Sequence, residues 1–317
     1  MEKAKTFLLL ASSLTLLSCN QNSDDSDSLP KGSEVAKEEA EIHYAKALEA
    51  MSKAVSFGVK LSGNASISEE YAYSSITPET SLESSSFSKI ELNDIDANLA
   101  MALSDDDLSA SMGVSAGYSF EHNGTSPIYS GESDVSREGN LSLKAYYADR
   151  TLYADGTGMS ELLSCFYNSS ATPNLKVKTT LDTPSIDWSD LTNKLDKLSE
   201  EAAQSEYLQG KNGVYSYVYT LDPAADSDSS SPGKWSGEAK AWLSFTEEGF
   251  TEIGVSGKMN YTSSFDLLNS ENSYGTSSKT DIALSANLKA NFSYGDSVKV
   301  EEVSDPENYV EESIELD

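Results

Sequence analysis

Long stretches of this chain alternate between apolar and polar residues with a period of two, and this alternation limits the fold more than any other feature. Between residues 108 and 120, serine and glycine separate seven apolar residues: Leu108, Ala110, Met112, Val114, Ala116, Tyr118 and Phe120. Successive side chains on a strand point to opposite faces of a sheet, so such a segment buries one face and exposes the other to water. The sequence therefore predicts a sheet with one apolar and one polar face.

The same period recurs along most of the chain. It predicts strands at about 57–67, 87–103, 108–120, 214–221, 239–245, 253–261 and 282–294, with shorter ones near 127–135, 140–148, 151–155 and 298–303. The apolar parity changes near Asn93 and Asp94, which predicts a β-bulge there. Serine-rich and acidic stretches at 69–86, 222–233 and 263–278 are interpreted as loops. Several strands exceed the usual length in soluble domains, and sheets of long strands twist, so we expect a curved sheet.

Two segments have a helical period instead. Residues 34–55 carry apolar residues three, four or seven apart, which predicts one buried stripe after an N-cap at Ser33. That stripe consists of Val35, Ile42, Ala45, Leu48, Met51 and Val55. The second segment, 187–202, follows an N-cap at Asp187 and places Trp188, Leu191, Leu195, Leu198 and Ala202 on one face. Each predicted helix is followed by alternating segments, so a helix-plus-meander pattern occurs twice.

These elements predict an α+β fold class. The expected architecture is a large curved, mainly antiparallel β-sheet, a half-open barrel, with two principal amphipathic helices on its concave face. A single domain would span 34–304, in two halves at about 34–158 and 186–304. An acidic tail, 305–317, would follow and fray.

The N-terminus has the order of a bacterial export signal. Lys3 and Lys5 precede an apolar run, 7–17, that is too short to span a bilayer. The run ends in Leu16-Leu17-Ser18-Cys19, which resembles the lipobox of bacterial lipoproteins. That resemblance implies a signal peptide at 1–18 and a lipidated Cys19 with acyl chains such as palmitate. A secretory signal cut nearby, with Cys19 incidental, is the alternative.

Charge and composition indicate where such a protein would lie. The polar residues 20–33 cannot form a core and would act as a flexible tether between the lipid on Cys19 and the domain. The net charge is −30 and the pI is about 4.2, so the surface would repel nucleic acid and anionic lipid headgroups. We therefore expect a cell-membrane protein on the extracytoplasmic side, held by lipid alone, with no nucleic-acid partner. Cys165, in an apolar setting, is interpreted as a buried inert thiol.

Residues that could carry chemistry are few and poorly spaced. His43 and His122 have no metal-like spacing to each other or to a cysteine. The glycines at 156 and 158 lack the lysine of a phosphate-binding loop. Acidic turns at 105–107 and 222–228 do not match the calcium-loop spacing, although weak calcium binding stays open. The sequence therefore predicts no enzyme, no cofactor and no metal site, with hydrolysis by paired carboxylates left open.

The order of the predicted elements resembles that of the LolA/LppX/LprG group of bacterial lipoprotein and lipid carriers. The shared features are the tether, the helix at 34–55 running into a strand at 57–67, and the central helix at 187–202. The resemblance is one of pattern and covers nearly the whole mature chain. It implies an apolar hollow that binds a lipid or another hydrophobic ligand. Candidate lining residues are Trp188, Leu191, Leu195, Leu198, Met112 and Val114. The alternative is a non-enzymatic surface lipoprotein with a filled core, acting in protein–protein interaction or as a structural component.

Overall fold

The computed structural model describes residues 29–77, 81–104, 107–124, 134–161, 175–180, 202–221, 233–267 and 275–311. Thirteen strands within these ranges form one sheet in the order β1-β8-β9-β10-β11-β12-β2-β3-β4-β5-β6-β7-β13. The strands are β1 (Ser33–Glu34), β2 (Ser56–Ile76), β3 (Ser81–Ser104), β4 (Asp107–Gly124), β5 (Asp134–Ala148), β6 (Thr151–Asp155), β7 (Lys176–Thr180), β8 (Gln204–Gln209), β9 (Tyr215–Leu221), β10 (Gly233–Thr246), β11 (Gly249–Asp266), β12 (Gly275–Tyr294) and β13 (Val310–Glu311).

The sheet consists of two meanders, β2–β7 and β8–β12, joined by one pairing between distant parts of the chain. β12 pairs antiparallel with β2 along its whole length, from Gly275 opposite Ile76 to Tyr294 opposite Phe57. Neighbouring strands are antiparallel throughout, except that β13 runs parallel to β7. The prediction of a large, mainly antiparallel sheet is therefore confirmed.

The bulge predicted from the change of parity near Asn93 and Asp94 is confirmed. The β3–β4 register shifts between Asn93 and Asp96, and Asp94 has a φ of +49°. On the neighbouring strand, the β2–β3 register shifts between Gly63 and Ala65. The backbone N–H of Asp94 donates a hydrogen bond to Asn64 Oδ1 at 2.9 Å, which ties the bulge to β2. Both shifts have one cause, an extra residue in β3, because β2 pairs with β12 without any shift and so keeps its parity.

The described ranges contain one α-helix, α1 (Lys37–Ser52), where a longer helix was predicted. The N-cap is Ala36, so the prediction of Ser33 is wrong, and Ser33 lies in β1 instead. The predicted stripe is also rotated from the true buried face, because Ile42 and Val55 are 59% and 65% exposed. The second predicted helix, 187–202, lies outside the described residues except for Ala202. None of the helices in the described ranges is both long enough and apolar enough to cross a membrane.

Aromatic packing explains the orientation of α1. The ring of Tyr44 lies 5.4–5.9 Å, between centroids, from those of Tyr217, Phe245 and Phe250 on the sheet. This contact brings Ala40 and Ala47, which the predicted stripe omits, into the core together with Met51, which the stripe includes. We call the sheet face on which α1 packs the helix face and the opposite one the outer face. The main core lies between α1 and the helix face.

Two of the predicted loops are largely strand. β2 continues to Ile76 and β3 begins at Ser81, so the prediction of a loop at 69–86 is wrong. Likewise β11 continues to Asp266 and β12 begins at Gly275, within the predicted loop 263–278. These segments lack apolar alternation, but their backbone groups pair with neighbouring strands in an unbroken register. The third predicted loop, 222–233, lies outside the described residues except for Gly233.

The C-terminal segment crosses the outer face of the sheet. The prediction of a strand at 298–303 is therefore wrong. The backbone N–H of Glu301 donates a hydrogen bond to Ser111 Oγ on β4 at 2.9 Å. Further along, the ring of Tyr309 meets that of Tyr153 on β6 edge to face, at 5.4 Å between centroids. Tyr309 is 5% exposed. Residues 305–311 are therefore packed on the sheet, where the sequence predicted a fraying tail.

Candidate functional site

The structure describes two of the residues expected to line a ligand site. Met112 and Val114 lie on β4, two positions apart, and both are half-buried on the helix face. The other expected residues, Trp188, Leu191, Leu195, Leu198 and the lipidation candidate Cys19, lie outside the described residues. Met112 and Val114 are therefore the positions from which the site can be traced across the sheet.

Val114 belongs to a row of apolar side chains that crosses most of the sheet. Residues directly opposite each other in an antiparallel pair share a face, so the register gives each row strand by strand. From β9 to β5 this row reads Tyr217, Leu243, Ile253, Ala290, Leu61, Ala97, Val114 and Leu143. All eight side chains are apolar or aromatic, so the helix face is continuous from one meander to the other.

Met112 belongs to the next row, which extends to the other edge of the sheet. From β12 to β7 it reads Phe292, Val59, Leu99, Met112, Ala145, Ala154 and Val177. Ala145 and Ala154 are directly opposite each other, so two short apolar side chains lie together on β5 and β6, beside Met112.

The helix α1 covers only part of this apolar face. It packs on β8, β9, β10 and β11, in the C-terminal meander. The rows through Met112 and Val114 continue beyond α1 onto β3–β7, where Leu99, Met112, Val114, Leu143 and Ala145 are half-buried. We call this part of the helix face, over β3–β6, the apolar furrow face. It is the candidate binding surface.

A buried hydroxyl lies at the rim of the apolar furrow face. Tyr147, one position before the end of β5, is directly opposite Ala110 and Leu152. Its side chain therefore shares the helix face with Met112. Tyr147 is 6% exposed, and its hydroxyl oxygen is buried without a hydrogen-bond partner. Buried polar groups in proteins almost always have a partner, so a partnerless hydroxyl calls for a specific explanation.

Tyr217 has a similar hydroxyl under α1. It is also 6% exposed, and its hydroxyl has no hydrogen-bond partner. Burial raises the pKa of Tyr217 far above its ordinary value, with smaller contributions from Tyr219 and Glu41. Rings surround Tyr217 closely, since Phe245 and Tyr207 lie edge to face with it at 5.1 and 5.3 Å. It therefore belongs to the packed core beneath α1, whereas Tyr147 is on β5, outside the strands on which α1 packs.

The structure brings together one pair that sequence reasoning missed. Ser88 on β3 and His122 on β4 are direct neighbours, and Ser88 Oγ lies 2.8 Å from His122 Nδ1. A serine next to a histidine is also an arrangement used for nucleophilic catalysis. Here His122 is 5% exposed and lies opposite Val135, so the hydroxyl provides a partner for a buried imidazole. Only the register shows this contact, because 34 residues separate the two along the chain.

An open cleft of about 510 Å³ lies at the far end of the long strands. It is lined by residues of β2, β3, β11 and β12, among them Tyr73, Ser84 and Phe265. Ser84 and Leu99 are both on β3, fifteen positions apart, so the cleft is about 50 Å along the strand from the Met112 row. It is therefore separate from the apolar furrow face. Among the residues that the structure describes, no three metal-ligating side chains gather into a metal site.

The sequence contained a usable signal for the residues that were missed. Leu141, Leu143, Ala145 and Tyr147 alternate with polar residues or, at 146, with another tyrosine. The predicted strand at 140–148 therefore already placed these four on one face. What the sequence did not show is that this face continues that of Met112 and Val114.

No protein-family model matches this chain, and no curated protein matches it either.

Proposed function

We propose that this protein is a membrane-anchored extracytoplasmic lipoprotein that binds a lipid or another hydrophobic ligand on the apolar furrow face. The lipid on Cys19 holds it to the membrane, the polar residues between Cys19 and β1 act as the tether, and it has no enzymatic activity. In this proposal the sheet curves into a half-barrel, and the predicted helix at 187–202 lies over its concave face beside α1. Trp188, Leu191, Leu195 and Leu198 then face Met112 and Val114 across the ligand.

One observation carries this proposal: the apolar rows extend well beyond α1. Soluble proteins seldom leave large apolar patches in contact with water. Covering such a surface with an acyl chain is favourable by about 0.8 kcal/mol for each buried methylene. The rows on β3–β6 carry no charged side chain, and the opposed side chains at 145 and 154 are both short. A chain-like apolar ligand matches this shape and chemistry.

A binding measurement on matched variants tests the proposal. Full-length Cys19→Ser protein, which lacks the acylation site, would be titrated with the fluorescent probe N-phenylnaphthylamine. Met112→Gln keeps the side-chain length but adds an amide to the apolar furrow face, so we expect weaker binding. Leu82→Gln, at a position that is 60% exposed near the far cleft, should leave binding unchanged. Absence of any probe binding, together with a lipid-free native mass, would contradict the proposal.

A second candidate function rests on the far end of the sheet. Leu82, Phe265 and Leu267 are 60%, 49% and 63% exposed there, beside the open cleft. Exposed apolar side chains grouped around a cleft are typical of protein–protein contacts. In this alternative the core is filled and the lipoprotein presents its far end to another protein. Loss of probe binding in Leu82→Gln but not in Met112→Gln would favour it.

A further inference from the structure

We propose that the hydroxyl of Tyr147 donates a hydrogen bond to the carbonyl oxygen of an uncharged acyl ester bound on the apolar furrow face. This inference rests on the proposed function and specifies its ligand class. It follows from the position of one buried donor relative to the apolar rows. The ligand would place its polar end at Tyr147 and its hydrocarbon chain along the rows of Met112 and Val114.

A buried hydroxyl without a partner is unfavourable. It has lost its hydrogen bonds to water without gaining any within the protein, and most native proteins avoid this arrangement. Tyr147 is more than nine-tenths buried, and its hydroxyl has no partner in the structure. A ligand that brings an acceptor oxygen removes this cost. The donor is then satisfied only in the bound state, which favours binding.

The position of Tyr147 suits a ligand that has a polar group at one end of a long chain. Tyr147 lies next to the end of β5, where the turn at Asp149 and Arg150 leads to β6, so it lies at the rim of the sheet. Both turn residues have positive φ, 49° and 58°, as expected for a tight hairpin. From Tyr147 to Leu141, the helix-face positions of β5 span about 20 Å. A polar group at the rim can thus be followed by a long chain along the sheet.

The charges around Tyr147 limit which polar group the ligand can carry. The row of Tyr147 reads Phe57, Met101, Ala110, Tyr147, Leu152 and Thr179. Neither this row nor those of Met112 and Val114 contains a charged side chain. The nearby Lys144 and Lys178 occupy positions of the opposite parity, on the outer face. Burying an ionised head group without a counter-charge is expensive, so an ester carbonyl fits better than a carboxylate or a phosphate.

The test compares two ligands that share a saturated hydrocarbon chain but differ in the ester group, and it measures their binding to matched variants. Methyl palmitate carries an ester carbonyl, and hexadecane carries none; each would displace N-phenylnaphthylamine from full-length Cys19→Ser protein. We expect that this protein prefers the ester and that Tyr147→Phe weakens ester binding about three- to tenfold. The same substitution, Tyr147→Phe, should not change the binding of hexadecane. The matched control, Tyr217→Phe, removes an equally buried hydroxyl from beneath α1 and should retain the preference.

Three outcomes separate the proposals. If the parent protein binds neither ligand nor the probe, the proposed function itself fails. If it binds both ligands and Tyr147→Phe retains the preference for the ester, the role of Tyr147 is overturned while the binding function stands. If Tyr147→Phe lowers the melting temperature of ligand-free protein and weakens both ligands equally, the hydroxyl has a structural partner, which also overturns the inference. Palmitic acid, tested alongside, should bind more weakly at neutral pH than its methyl ester.

Discussion

Trp242 and Gly254 are direct cross-strand neighbours on β10 and β11, and the indole ring occupies the space that a side chain at residue 254 would need. Trp242 is 1% exposed, and its Nε1–H donates a hydrogen bond to Glu252 at 2.7 Å. Glu252 is in turn paired with Lys289 on β12. The glycine therefore allows a tryptophan to lie flat on the outer face and to link three strands.

Replacing this glycine should destabilise the protein. In Gly254→Ala the added methyl would overlap the indole ring, so the buried Trp242 must move, at a cost of about 1–3 kcal/mol. Gly117→Ala is the matched control, since its nearest contact would be an ordinary 3.6 Å to the carbonyl oxygen of Asn93. We expect the control to stay within about 0.5 kcal/mol. Urea unfolding of both variants measures the difference, and equal stabilities would contradict the packing of Trp242.

The buried face of α1 can be checked with two aspartates. Ala47 is 0% exposed and lies outside the predicted stripe, so Ala47→Asp buries an unpaired charge and should cost several kcal/mol. Ile42 is 59% exposed on the same helix, so Ile42→Asp should change the free energy of unfolding by about 0.5 kcal/mol or less. Thermal melts followed by circular dichroism would show the contrast. If Ile42→Asp proved the more damaging, α1 would pack through the stripe that the sequence predicted.

Acidification should weaken the contact between β6, β7 and the C-terminal segment. Burial raises the pKa of Asp155, but hydrogen bonds from the hydroxyl and amide of Thr157 and the nearby Lys176 outweigh it, so the pKa lies below its usual value. The Lys176 ammonium is 3.1 Å from Asp155 Oδ2 and 5.4 Å from the ring centroid of Tyr309. Because the folded-state pKa is depressed, the carboxylate stabilises the fold at neutral pH. That contribution is lost as the pH falls below the ordinary pKa of an aspartate and through the lower folded-state pKa.

A neutral substitution tests this dependence. Asp155→Asn should be less stable than the parent protein near neutral pH and should lose less stability between about pH 6 and pH 3. Asp134→Asn, at an exposed position on β5, should keep the acid dependence of the parent. Hydrogen exchange at 306–311 would locate the effect on the C-terminal segment. Identical pH profiles for Asp155→Asn and the parent would show that Asp155 does not stabilise this contact.

The lipid anchor is a prediction from sequence that lies outside the described residues. Intact-mass measurement of the mature protein should show diacylglycerol on the peptide that begins with Cys19. Cys19→Ser should release the protein from the membrane or leave residues 1–18 attached, because the acceptor thiol is gone. Ser18→Ala, which keeps a small residue before the cysteine, should be processed normally. An unmodified N-terminus at another residue would contradict the anchor.

Much of the sheet could be predicted because strand patterning is local. The alternation from Leu108 to Phe120 marks β4, and the parity change at Asn93 and Asp94 marks the bulge in β3. The extensions of β2 and β3 beyond this patterned core could not be read, since their serine-rich ends are held by backbone pairing rather than by an apolar face. Patterning reports burial, and it fails where a strand is wet on both sides.

The candidate site was predicted in part. Met112 and Val114 were placed on one face correctly, because that follows from β4 alone. Tyr147 was not singled out, since its relation to Met112 depends on the pairing of β4 with β5. The face of α1 was predicted only in part, because several helical stripes satisfied the same spacing: Leu48 and Met51 pack in the core, but Ile42 and Ala45 are exposed. The contacts of Tyr44 with Phe245 and Phe250 select the true one.

The sequence by itself determined that long strands with one apolar and one polar face form here, because side-chain direction along a strand depends only on position. It also determined the charge and the pattern of an export signal. Only the tertiary structure decided that β12 pairs with β2, that α1 covers one meander, and that the hydroxyl of Tyr147 is buried without a partner. Each of these depends on contacts between residues far apart in the chain, and no local pattern specifies which distant segments meet.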